Sequence, residues 1–253
     1  MLQTRVIPCL LMNDSGLIKT TKFSNPRYIG DPINAIKIFN DKEVDELVLL
    51  DVDATVLGKS PNYDLIKNIA SECFMPLAYG GGIKSIDEAK KIFKLGIEKV
   101  IINAAAVKNP SLIKELSSIY GSQSVVVSID YKKNRWGKCK VYIYRGKTCT
   151  NFDPVEFAIK MEEFGAGELL CTSINNEGLM KGYENNISLK ISDSVRIPVI
   201  INGGAGSIND IADVVNNSSI SAAAVGSLFV YSGKTRAVLI NYFSRKEMNT
   251  KLI

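Results

Sequence analysis

The chain has 253 residues, 46% of them hydrophobic and 23% charged, with a formal net charge of +5 at pH 7. These values describe a globular protein with a sizeable core and exclude a disordered chain, while charged residues interrupt every apolar run before it reaches membrane length. Histidine is absent, which excludes Ser-His-Asp and Cys-His nucleophiles and imidazole metal ligands and leaves acid–base work to carboxylates, Lys, Tyr or Cys.

In chain order, strand-like apolar runs alternate with amphipathic helical stretches. The predicted strands are Arg5 to Leu11, Leu47 to Asp51, Pro76 to Tyr79, Lys99 to Ile102, Ser124 to Asp130, Glu168 to Thr172, Pro198 to Ile201 and Ala222 to Val225. Asp31-Pro32 and Asp153-Pro154 each pair a capping carboxylate with proline at a first helical position, and Ser85, Asn109-Pro110 and Ser207 open further helices. Eight strand–helix pairs in one chain of this size indicate a (β/α)8 TIM barrel, with its active site at the C-terminal ends of the strands. Two long connections follow strand ends, Met12 to Gly30 and Tyr131 to Phe152. The second contains Lys140 to Arg145, which alternates like a hairpin strand; in the first, the turn Asp14-Ser15-Gly16 leaves Lys19 on the return segment, within reach of an anionic ligand.

The chain also contains itself twice. Met75 to Asp87 recurs 122 residues later as Ile197 to Asn209, and Asp31-Pro32 and Glu46-Leu47-Val48 recur in the same register as Asp153-Pro154 and Glu168-Leu169-Leu170. So long a repeat implies two half-barrels, about residues 1–122 and 123–253, closed into a single domain. Five scattered cysteines (Cys9, Cys73, Cys139, Cys149 and Cys171) never form CxxC, so reduced, mostly buried thiols are expected, with neither a disulfide framework nor a zinc site. No secretory leader or nucleic-acid module is read, and a cytoplasmic protein free of membrane or nucleic-acid partners is expected.

Candidate chemistry gathers at strand ends. Gly80-Gly81-Gly82 and Gly203-Gly204-Ala205-Gly206 each end a strand and open a helix, where backbone N–H groups can approach an anion. Asn103-Ala104 and Gly226-Ser227 follow the next strands. Together they predict two phosphate cradles on opposite sides of one mouth, fitting a ligand with a phosphate at each end. Asp130 ends the fifth strand as a candidate acid–base group, and a shift of 119 residues sets Leu11 in the equivalent place across the barrel. Asp51 reads as structural. Arg5, Glu46, Lys99 and Glu168 fall at the opposite ends of their strands; from periodicity alone they form an ion-pair network closing the barrel bottom.

These residues match a known family. Arg5 to Cys9, Gly30-Asp31-Pro32, Asp45-Glu46-Leu47, Gly80 to Ile83, Ile102-Asn103 through Asn109 to Leu112, Gly121 to Gln123 with Ile129-Asp130, Gly165 to Glu168, Thr172 to Ile174, Gly182-Tyr183 and Gly203 to Gly206 resemble the cyclase subunit of imidazole glycerol phosphate synthase, the barrel component of a glutamine amidotransferase in histidine biosynthesis. The resemblance implies a bisphosphate ligand contacted by Lys19, Gly81, Gly82, Asn103, Ala104, Thr172, Gly178, Gly203, Gly204, Gly226 and Ser227, without metal or cofactor. It implies a glutaminase partner docked at the N-terminal face as a heterodimer, sending ammonia along the barrel axis past a gate formed by Arg5, Glu46, Lys99 and Glu168. Of the family's two acid–base aspartates, one matches Asp130 and the other falls on Leu11, which cannot transfer a proton. With Leu11 to Gly16, the chain is similar to a divergent branch associated with surface-polysaccharide genes, in which ammonia passes to a third protein that amidates an N-acetylated sugar. A genuine cyclase and a non-catalytic, phosphometabolite-binding activator of a glutaminase are the rival readings.

Overall fold

A computed structural model describes residues 4–252. Eight strands form a closed parallel ring: β1 (Arg5–Asn13), β2 (Leu47–Asp51), β3 (Leu77–Gly80), β4 (Lys99–Ile102), β5 (Val125–Lys133), β6 (Glu168–Ser173), β7 (Val199–Asn202) and β8 (Ala222–Val225). Each pairs with the next, and β8 pairs back onto β1. The expected (β/α)8 barrel is therefore the observed one.

Alternation along the strands divides the core into two layers. Val6, Leu10 and Met12 on β1 pack outward beneath the helices, whereas Ile7 and Cys9 join Val48, Ala78, Ile101, Val126, Leu170, Ile200 and Ala222 in the barrel interior. The interior is thus an apolar plug between the two ends of the barrel.

The helices α1 (Pro32–Asp41), α2 (Tyr63–Glu72), α3 (Ile86–Lys94), α4 (Ser111–Tyr120), α5 (Pro154–Glu163), α6 (Asn185–Ser194), α7 (Ile208–Val215) and α8 (Arg245–Lys251) surround the ring. The predicted caps of four of them form. Asp31 accepts from the Asn34 amide, Asp153 from those of Val155 and Glu156, and Ser85 from Glu88; Ser207 builds a reciprocal capping box with Asp210. Asn109 is different. It does not cap α4, because Pro110 occupies that position and the Asn109 carboxamide instead accepts from the Ser111 hydroxyl at 2.6 Å.

The two long connections are not loops. β1 runs past Leu11 to Asn13 and turns back as Gly16–Thr21, which pairs with Ser24–Gly30; β5 runs past Asp130 to Lys133 and pairs with Cys139–Ile143. Two β-hairpins therefore rise from the C-terminal ends of β1 and β5, four strands apart. Smaller shifts affect other ends: β5 starts at Val125 after a short 3-10 turn over Ser122–Ser124, β3 and β7 start one residue later than expected, and Asn202 completes β7. Cys9, Cys139 and Cys171 are buried, Cys73 is half-buried and Cys149 exposed, all as free thiols.

Candidate functional site

The C-terminal ends of the strands enclose an open cleft of ≈ 1180 Å³, solvent at its rim included. Sheet register brings Asp130, Thr172 and Asn202 side by side at one height on β5, β6 and β7. Their side chains connect. The Asn202 amide donates to the Thr172 hydroxyl at 3.1 Å and Thr172 bonds Asp130; the Ser128 hydroxyl donates to Asp130 at 3.2 Å and the Asn103 amide does so at 3.3 Å. Burial pushes the Asp130 carboxyl up to about 7; the Ser128 and Thr172 hydrogen bonds oppose the rise, and the charge of Glu177 adds to it. A carboxyl poised there can take or give a proton near neutral pH.

Across the barrel the equivalent positions are apolar. Leu11 faces Asp130 through the repeat, Leu50 corresponds to Thr172, and Gly80 to Asn202; all three line the cleft. Asp51, at the end of β2, accepts from the Asp53 and Ala54 amides at 3.0 and 2.9 Å. It shapes the loop after β2, in accord with the structural reading.

The two glycine turns are copies in space as well as in sequence. Gly81 (φ 123°) and Gly203 (φ 90°) lie in the left-handed region, and each leaves no room for a side chain against the strand two before it, at Asp51 and Ser173. Asn103 and Gly226 match further, with φ, ψ of −114°, −84° and −103°, −84°, each opening a short helix, Ala104–Lys108 or Ser227–Val230. Their contents differ. In the second copy the Ser227 hydroxyl is buried without a hydrogen-bond partner, and the Lys19 ammonium fills the space that a side chain on Gly226 would need. In the first copy Ala104 replaces the serine, and the Gly82 amide donates to the Thr55 hydroxyl at 3.0 Å. An anion in the second turn would meet a cation and an orphaned hydroxyl.

Lys19 comes from the β1 hairpin, on the other half of the chain. It is buried and lies 3.8 Å from Glu177, which also accepts from the Thr20 hydroxyl at 2.9 Å and the Phe23 amide at 3.0 Å. Gly178 follows against the Thr20 backbone, also lining the cleft. Glu177 and Thr20 escaped the sequence reading, as did Asn202, Ser128 and Thr55. An acid in the loop segment Asn175-Asn176-Glu177-Gly178 carries no periodic signal, although Asn202 could have been found by aligning strand ends.

At the opposite end, all four predicted ring residues meet. Arg5 bonds Glu46 at 2.6 Å and also Glu168; Lys99 bonds Glu46 at 2.7 Å and Glu168 at 2.9 Å. The carboxylates are buried, whereas the cations are partly exposed. The closed ring covers the bottom of the apolar interior.

This geometry has relatives. The family model described as histidine biosynthesis protein matches residues 5–236. A Pseudomonas aeruginosa protein provisionally named imidazole glycerol phosphate synthase subunit hisF2 is 53% identical, over 96% of each chain. The Vibrio vulnificus protein provisionally named subunit hisF3 is 48% identical, over all of this chain and 97% of that protein. Imidazole glycerol phosphate synthase subunit HisF of Methanococcus vannielii is 39% identical, over 91% of this chain and 92% of its own. The chain belongs to the HisF family of histidine biosynthesis proteins. The matched span holds the whole ring and the whole mouth, so the HisF-like barrel described here includes Leu11 within its matched segment. Among the described residues no cluster of His, Cys, Asp or Glu could hold a metal, and no helix is long and apolar enough to cross a membrane.

Proposed function

We propose that this HisF-like barrel is the ammonia-receiving subunit of a glutamine amidotransferase assembly and delivers ammonia for amidation of an N-acetylated sugar instead of closing an imidazole ring. The observation that carries the reading is a contrast between the ends of the barrel: the ring of Arg5, Glu46, Lys99 and Glu168 is complete, while Leu11 stands opposite Asp130. A second acid–base group across the mouth is missing, a loss that costs cooperating groups about 10²- to 10⁴-fold. The intact ring supports a glutaminase partner at the bottom face. A third protein receives the ammonia at the mouth. The orphaned Ser227 hydroxyl and buried Lys19 support a phosphorylated ligand there.

A second reading is favoured by one observation. Asp130, held near pH 7, can act as both acid and base, so a single carboxyl could serve a slower cyclase. Ammonia-dependent turnover of the family's phosphoribosyl intermediate separates the two readings. The proposal expects no turnover by the natural chain and measurable turnover by Leu11→Asp. Useful turnover by the natural chain, or its restoring growth of a histidine auxotroph lacking its own cyclase subunit, would establish the second reading.

A further inference from the structure

The turn between Cys139–Ile143 and its next partner Thr148–Cys149, on the excursion after β5, carries a cation that neither glycine turn uses. Tyr144 and Arg145 take left-handed backbone (φ 56° and 58°), 122 residues after Lys22 and Phe23 (φ 53° and 60°), which form the turn between Gly16–Thr21 and Ser24–Gly30. The two turns cross the mouth reciprocally. Phe23 bonds Glu177 in the loop after β6, and Arg145 pairs with Asp53 in the loop after β2. A side chain on Gly146 would meet Phe23 at 3.4 Å, so the two turns lie close together. This crossing holds the Arg145 guanidinium over the first half of the mouth, where it lines the cleft with only 19% of its side chain exposed.

The first half brings an anion fewer side-chain groups inside the cleft than the second. Ala104 brings no hydroxyl, the Gly82 amide is engaged by Thr55, and Leu11 and Leu50 are apolar. Lys59, Lys84 and Lys108 stand farther out on the exposed rim; Lys59 is paired with Asp14 at 2.5 Å, and the Lys108 ammonium lies 4.9 Å above the Tyr144 ring. Exposed charges of this kind are screened by salt.

We infer that Arg145 is a specificity-determining residue, which exchanges Asp53 for a second anionic group on the ligand in the mouth. This rests on the phosphate reading of the turn formed by Gly203, Gly204, Gly226 and Ser227. That turn, with Lys19, holds one phosphate, and Arg145 grips the far end of the same molecule. A guanidinium fork accepts a carboxylate or a phosphate equally well in shape, and its bond to Asp53 already has that chemistry.

Calorimetric titration of the folded chain at high ionic strength tests this with three probes: ribose phosphate, ribulose bisphosphate and phosphogluconate, the last bearing a carboxylate at its far end. At least one of the two-anion probes is expected to bind about tenfold tighter than ribose phosphate, the worth of one charge-assisted contact, and the better of them identifies the second group. Arg145→Met removes this advantage and leaves ribose phosphate binding alone. Asp53→Asn keeps or increases it, because the competing carboxylate is gone. A merely structural latch would make the two variants lose binding together, and that result overturns the inference, as does an advantage that survives Arg145→Met. If ribose phosphate does not bind, or binds undiminished after Lys19→Met with Ser227→Ala, the phosphate reading itself falls and takes the inference with it.

Discussion

The two half-barrels share one backbone but differ in the side chains they place at each end. At the bottom, each half supplies one ring carboxylate, Glu46 or Glu168, while both ring cations, Arg5 and Lys99, come from the first half. At the mouth the balance reverses: the second half presents Asp130, Thr172 and Asn202 where the first presents Leu11, Leu50 and Gly80. The halves therefore share a scaffold and differ in a handful of strand-end side chains.

The ring gives the largest effect with which to test this comparison. Glu168→Ala leaves Arg5 and Lys99 sharing one carboxylate, and removing one partner of a buried ion-pair group costs about 3–5 kcal/mol. Glu46→Ala should cost the same within about 1 kcal/mol, because the two carboxylates are repeat equivalents and each bonds both cations. Denaturant unfolding of both variants reads this directly. Unequal losses would show that one half of the barrel bottom depends on the ring more than the other.

At the mouth, the asymmetry predicts a pH dependence. Asp130 is raised to about 7 in the fold, chiefly by burial, so between its unfolded value and 7 the native state holds a proton that the unfolded chain has lost. Stability from this group is therefore greatest at low pH and falls as pH rises through 7. Asp130→Asn should raise stability at pH 8 by about 2–4 kcal/mol and lose that gain as pH falls to about 3, below the unfolded value, where both states are protonated. Thermal unfolding of the two proteins across that range measures it. A gain that does not vary with pH would mean that the carboxyl is not held above its ordinary value.

Much of this was legible in the residues themselves. The repeat register, the Asp-Pro caps and the charges at strand beginnings announce a barrel with a ring at its bottom, because each obeys a local rule or a fixed offset. The hairpins were less visible. Their first strands continue β1 and β5, and the turns after their returning strands place Lys22, Phe23, Tyr144 and Arg145 in a left-handed conformation that sequence usually signals with glycine. The bonds of Glu177 to Thr20 and of Arg145 to Asp53 span 157 and 92 residues, so no local pattern reveals them.

Those two hairpin clasps form a second comparison of unequal copies. Glu177 is buried and serves a hydroxyl, an amide and the Lys19 ammonium, whereas the Arg145–Asp53 pair is about one-fifth exposed. Glu177→Ala should cost about 2–3 kcal/mol by stranding buried donors. Asp53→Ala should cost no more than about 1 kcal/mol, as a partly solvated pair does. Equal costs would show that the clasps are energetically symmetric despite their burial.

The smallest effect comes from restoring symmetry at a single atom. Ala104 and Ser227 occupy the same place in two turns whose preceding residues have nearly the same φ and ψ, so Ala104→Ser sets a hydroxyl where the second turn already has one. A serine at the start of a short helix costs the fold little, and its hydroxyl can reach an anion seated in the first turn. One added hydrogen bond to a charged group is worth about 1.5 kcal/mol, or roughly tenfold in affinity. Ribulose bisphosphate should therefore bind the variant more tightly, while ribose phosphate, seated beside Lys19 and Ser227, should not respond. If ribose phosphate tightened instead, a single phosphate would be choosing the first turn, and the assignment of the stronger site to the second half would have to be reversed.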